Sequence, residues 1–119
     1  MYSPELLDHA MNPRNFGRLV RPDRSGSSSF EHCGDRMSLQ FQLAEGRILD
    51  VVADACGCGP TMAAASVATE LLKGRTVDEA RRLDPAEIDA ALGRVPAVHR
   101  HAFWMVLECV EEAFAMDSS

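Results

Sequence analysis

The sequence predicts an α+β domain: a small antiparallel three-stranded sheet covered on one face by helices. Three observations carry this. Met37, Leu39, Phe41 and Leu43 alternate with Ser38, Gln40 and Gln42, the period of two that marks a strand with one wet face. Leu49, Val51, Ala53 and Ala55 continue that pattern after the turn Ala44-Glu45-Gly46-Arg47. Beyond Cys58-Gly59-Pro60 the period becomes helical and stays so to the end of the chain. A hairpin of this kind needs a helical cover for its apolar face.

Each remaining element has a local reason. Ser3-Pro4-Glu5 reads as an N-cap, a proline at the first helical position and an early acid. A short helix is expected from there through Leu6, Leu7 and Ala10, ended by Asn12-Pro13. Residues 14–29 are rich in Arg, Gly and Ser and read as the most mobile segment, with a further short strand around Ser28–His32. Ala64, Val67, Ala68, Leu71 and Leu72 form one helical stripe, closed by Gly74. Thr76 with Glu79 has the spacing of a capping box, and Asp84-Pro85 opens another short helix through Leu92. Gly93-Arg94-Val95-Pro96 breaks the chain. The last helix then carries Phe103, Val106, Leu107, Val110 and Phe114 on its core face.

Composition bounds the function. The chain of 119 residues is one domain by length, residues 1–119, with 46% apolar residues. Its net charge of −6 argues against a nucleic-acid binder working by phosphate neutralisation. No apolar stretch approaches the roughly 20 residues of a membrane span, and no secretory leader is visible, so a cytoplasmic location is expected. In that compartment the 4 cysteines are ligands or catalysts before they are disulfides. Arg14, Arg18, Arg21 and Arg24 fall close together and read as a solvated loop or a docking patch for an acidic partner.

The chemistry gathers at the ends of the hairpin. Cys33-Gly34-Asp35 stands just before the first strong strand, and Cys56-Gly57-Cys58-Gly59 just after its partner. Antiparallel pairing brings those two ends together. Cys33, Asp35, Cys56 and Cys58 are therefore expected at one end of the sheet. Gly59-Pro60 opens a helix, which sets Cys58 beside the positive end of a helix dipole, an environment that favours thiolate. Thiolate suits zinc and iron–sulfur units. His101 opens the last helix away from the Phe103 stripe, and spacing alone reads it as a surface residue. Cys109 lies near the core face and reads as packing. His9 and His32 have no comparable support.

These residues resemble the IscU/NifU-type iron–sulfur cluster scaffold family, the NifU N-terminal domain, almost end to end. Asp8-His9, Asn12-Pro13-Arg14-Asn15 and Gly17 match its N-terminal signature. Cys33-Gly34-Asp35 matches its first ligand motif. Gly57-Cys58-Gly59 with Ala64, Ser66, Thr69-Glu70 and Lys73-Gly74 matches the second, and Asp78-Glu79-Ala80 the segment that follows. The resemblance implies an IscU/NifU-like fold and a non-enzymatic scaffold or carrier. Such a protein binds a transient cluster, usually [2Fe–2S], or zinc at the same site. It takes sulfur from a cysteine desulfurase and passes the cluster to apo acceptor proteins. It also implies ligand roles for Cys33, Asp35, Cys58 and His101, which reverses the spacing-based reading of His101.

Two departures stand out. Ala102 occupies the place of the family's third cysteine, directly after the histidine. Cys56 is an extra cysteine, and the expected ligand set becomes Cys33, Cys56, Cys58 and His101, with Asp35 keeping the site labile. Val95-Pro96-Ala97-Val98-His99 replaces the Leu-Pro-Pro-Val-Lys peptide that a specialised Hsp70 chaperone reads in many scaffolds, which weighs against chaperone-driven transfer. Three alternatives stay open at this point. A zinc-bound or metal-free adapter could regulate a desulfurase, Cys56 and Cys58 could form a redox couple, and two chains could share one cluster as a homo-oligomer.

Overall fold

A computed structural model describes residues 2–31 and 34–115. In chain order the elements are α1 (Pro4–Met11), β1 (Arg24–Phe30), β2 (Asp35–Ala44), β3 (Arg47–Cys56), α2 (Gly59–Leu72), α3 (Val77–Arg81), α4 (Pro85–Ala91), a 3-10 turn (Ala97–His99) and α5 (His101–Ala113). Among the described residues the sheet has three antiparallel strands in the order β1-β2-β3. Helices cover one face and the other meets solvent, as the alternation predicts. Inward Met37, Leu39 and Phe41 are buried, while Arg36 is exposed and Ser38, Gln40 and Gln42 are partly so. Among the described residues no helix is long and apolar enough to cross a membrane.

The caps are those expected. The Ser3 hydroxyl accepts from Leu6 N, and the Thr76 and Asp84 capping boxes are both closed. The hairpin turn places Glu45 at φ 53° and Gly46 at φ 79°, two left-handed residues that match the twist of the flanking strands.

Two details differ from the alternation read in the sequence. The register slips at Gln42/Leu43: Gln42 faces Asp50 and Leu43 faces Ile48, so Leu49 is left without a partner. One extra residue flips the side chains beyond it. Ile48 is buried and Leu49 is 59% exposed, so the core residue on that end of β3 is Ile48. The strand expected around Ser28–His32 begins earlier, at Arg24, within the Ser/Gly-rich segment. Residues 24–30 form the edge strand β1, which α5 crosses closely. At Gly26 an added Cβ would lie 1.9 Å from the Cys109 carbonyl oxygen. The small residues of β1 let a helix backbone approach the strand.

The N-terminal signature residues fasten α1 and the loop after it. Ser66 Oγ on α2 meets both His9 Nδ1 and the Arg14 backbone N–H at 2.8 Å. Asn15 Nδ2 donates to Thr69 Oγ1 at 2.9 Å. The chain then pairs with the outer edge of β3, through Ala53 N to Asn15 O at 2.9 Å and Gly17 N to Ala53 O at 3.0 Å. That edge is thereby covered rather than left open to other chains. Of the arginine cluster, Arg14 is held within this clasp by Asp8.

Candidate metal centre

Three elements deliver one side chain each to a common point. Asp35 opens β2, Cys58 is the N-cap of α2, and His101 is the first residue of α5. One potential ligand atom from each lies within 4.8 Å of the other two. His101 Nε2 donates to Asp35 Oδ2 at 2.9 Å, and the Cys58 thiol to the same oxygen at 3.4 Å. The register that pairs Arg36 with Cys56 is what brings the start of β2 beside the end of β3.

Asp35 is only 1% exposed, yet none of its needs goes unmet. The Thr61 hydroxyl donates to Oδ2 at 2.6 Å, and the Cys58 backbone N–H donates to Oδ1 at 3.2 Å. Burial pushes the carboxyl pKa up, but the donors Thr61, His101 and Cys58 together outweigh it, and the net direction is down. Asp35 is held as a carboxylate. Gly57 makes this possible: a Cβ there would lie 2.3 Å from Asp35 Oδ1, and its φ of +154° turns the chain from β3 into α2. The His101 ring is stacked on Phe30, with centroids 4.4 Å apart and planes 22° from parallel.

Of the expected site residues, Asp35, Cys58 and His101 are brought together. Cys33 lies outside the described residues, as does His32. Cys56 is not brought to the cluster. It is exposed at the end of β3, opposite Arg36, whereas Asp35, the residue before Arg36, points into the protein. Alternation along the strands therefore puts Cys56 and Asp35 on opposite faces of the sheet. Ala102 is fully buried in the first turn of α5 and offers no ligand atom. Cys109 is buried, its thiol donates to Met37 O at 3.6 Å, and its pKa is pushed up to about 12 by burial, with Glu112 and Glu108 adding to the shift. It is a packing residue without nucleophilic character at neutral pH.

The residue that sequence reading passed over is Thr61. It stands three positions after Cys58, on the same side of the first turn of α2, and that spacing is the signal that could have found it.

The set of one sulfur, one imidazole and one carboxylate is a borderline-soft donor set that fits zinc or iron. A tetrahedral ion with bonds of about 2.0–2.3 Å spaces its donors by about 3.5 Å, so small side-chain shifts would close this group on an ion. Three protein donors leave a coordination position for a further ligand.

Comparison with known proteins agrees with this picture. The family model described as NifU-like N terminal domain matches residues 1–117. The iron–sulfur cluster assembly scaffold protein IscU of Azotobacter vinelandii is 36% identical over 116 residues, 94% of this chain and 90% of that protein. The scaffold protein IscU 1 of Archaeoglobus fulgidus is 33% identical over 113 residues, 95% and 74%. The iron–sulfur cluster assembly enzyme IscU of Drosophila melanogaster is 35% identical over 119 residues, 97% and 77%. A crystal structure assigned to a SUF-system iron–sulfur scaffold from Fervidobacterium islandicum AW-1 superposes with a TM-score of 0.79. It covers 94% of this chain and 95% of that one at 20% identity, a likeness of fold.

Proposed function

Because the chain belongs to the NifU-like N-terminal domain family, we propose that it is an iron–sulfur cluster assembly scaffold whose cargo is held at Asp35, Cys58 and His101. The convergence of these three ligand atoms from three separate elements supports the reading. The cargo is a transient cluster, [2Fe–2S] being the simplest, and zinc competes for the same donors. Cys33, two residues before Asp35 in the chain, is the proposed second thiolate. Cys56, on the far side of the sheet, is left out of this set.

What a scaffold must do is hold and then release. The Cys58 thiolate retains a soft metal. Asp35, a harder oxygen donor, binds it less strongly and is the ligand from which release begins. His101 leaves its hydrogen bond to Asp35 to ligate through Nε2, and Phe30 keeps the ring in place as it does so. No bond of an organic substrate is made or broken, so the role is binding and transfer rather than turnover. A cysteine desulfurase supplies the sulfur and apo proteins accept the finished cluster.

Anaerobic reconstitution tests this. The protein is offered iron, sulfide and a cysteine desulfurase, then assayed for iron, acid-labile sulfide and zinc. The expected result is visible absorption with iron and sulfide in matching amounts, lost to an apo ferredoxin on mixing. Tight zinc with no sulfide under these conditions would instead identify an adapter.

A further inference from the structure

We propose that Thr61 is a positioning residue of the metal centre, which holds the Asp35 carboxylate in its ligating orientation once metal has displaced its other side-chain partners. The inference rests on the scaffold reading of this site. Thr61 is fully buried. Its hydroxyl lies 2.6 Å from Asp35 Oδ2 and 3.3 Å from Cys58 Sγ, and its carboxylate partner accepts its only proton.

Asp35 Oδ2 has three side-chain donors, namely Thr61, His101 Nε2 and the Cys58 thiol. Two of them are lost on metal binding. His101 must offer Nε2 as a lone pair, its single ring proton then sitting on Nδ1, and Cys58 ligates as thiolate, its proton passing to solvent, so neither donates to Asp35 any longer. The Thr61 hydroxyl is not a ligand and keeps its proton. Together with the Cys58 backbone N–H on Oδ1 at 3.2 Å, it then fixes both oxygens, and hence the plane, of the carboxylate. Ligating carboxylates are held by such outer hydrogen bonds, and removing one costs ~10–100-fold in metal affinity.

The placement is built into the chain. Thr61 is in the first turn of the helix that Cys58 caps, so thiol and hydroxyl move as one unit. Asp35 comes from a different element, and the Thr61 bond ties its Oδ2 to that unit as the Cys58 backbone N–H ties its Oδ1.

The test is an anaerobic Co2+ titration of the full chain, read by thiolate-to-cobalt charge transfer and by the d–d bands, which report ligand geometry. Thr61→Val keeps the shape and removes the proton, and Thr61→Ala is a second hydroxyl-free variant should the valine disturb folding. Both are expected to bind Co2+ ~10–100-fold more weakly than wild type with shifted d–d bands, and Thr61→Ser is expected to restore affinity and bands together. Wild-type affinity in the hydroxyl-free variants overturns the proposal. Weaker binding with unmoved bands, or no rescue by Ser, marks a merely structural role and overturns it as well. If the wild type itself binds no Co2+, the scaffold reading of the site falls first and this inference falls with it.

Discussion

Cys56 and Cys58 are two positions apart in the chain and in quite different surroundings. Cys56 ends β3 on the solvent face, and Cys58 begins α2 beside Asp35 and Thr61. The two thiols should therefore separate cleanly in a metal-binding assay. Cys58→Ser and His101→Ala are each expected to lose more than the ~10–100-fold that an outer-shell partner is worth. Cys56→Ser is expected to match wild type, and a comparable loss there in zinc or iron per chain would refute the ligand set. The alternation that turns Ala55 inward turns Cys56 outward. His101 was hidden in the sequence. Its partners, Phe30 and Asp35, are the last residue of β1 and the first of β2, and no helical count around α5 contains them.

Elements formed by local chemistry were the ones read correctly. The caps at Ser3, Thr76 and Asp84, the period of two in β2 and the glycine turn at Gly46 depend on near neighbours. β1 is different, because Gly26 and its serines have low strand preference and become a strand only by pairing with β2 under α5. This dependence gives Gly26 a long reach. Gly26→Ala would drive a methyl into the Cys109 carbonyl and force α5 away from the sheet. Overpacking of this kind costs about 1–3 kcal/mol, and each kcal/mol lowers Tm by about 3–6 °C in a domain of this size. Because α5 begins at His101, metal affinity should fall along with Tm. A variant with lowered Tm but wild-type Co2+ affinity would show that the N-terminus of α5 is anchored independently of its middle.

At the scale of the molecule, the signature residues His9 and Arg14 meet the middle of α2, whereas the metal centre stands at its N-terminus. Cys58 caps one end, while Ser66, eight residues on and about 12 Å along the axis, receives His9 and Arg14. The first set carries chemistry and the second carries attachment of α1, although both belong to one family pattern. His9 is partly buried, with Nδ1 on Ser66 Oγ and Nε2 3.5 Å from Glu70. Burial lowers its pKa below the ordinary 6.5, and the Arg14 charge adds to this, while Glu70 and Asp8 oppose. The unfolded chain therefore binds a proton at His9 more readily than the folded one. Stability from this residue is fully present above pH 6.5 and is lost as pH falls below it toward the lowered folded value. The neutral ring accepts or donates at Ser66 as needed, and the charged ring must donate from both nitrogens. His9→Gln, which cannot charge, should show a smaller fall in Tm between pH 7.5 and pH 5.5 than the wild type. Its Co2+ affinity at pH 7.5 should be unchanged, because the ring's partners are Ser66 and Glu70 and none of the three ligand residues. An equal acid-induced fall in both proteins would place the pH sensitivity elsewhere, and a loss of Co2+ affinity in the variant would show that the attachment of α1 and the metal centre are one cooperative unit.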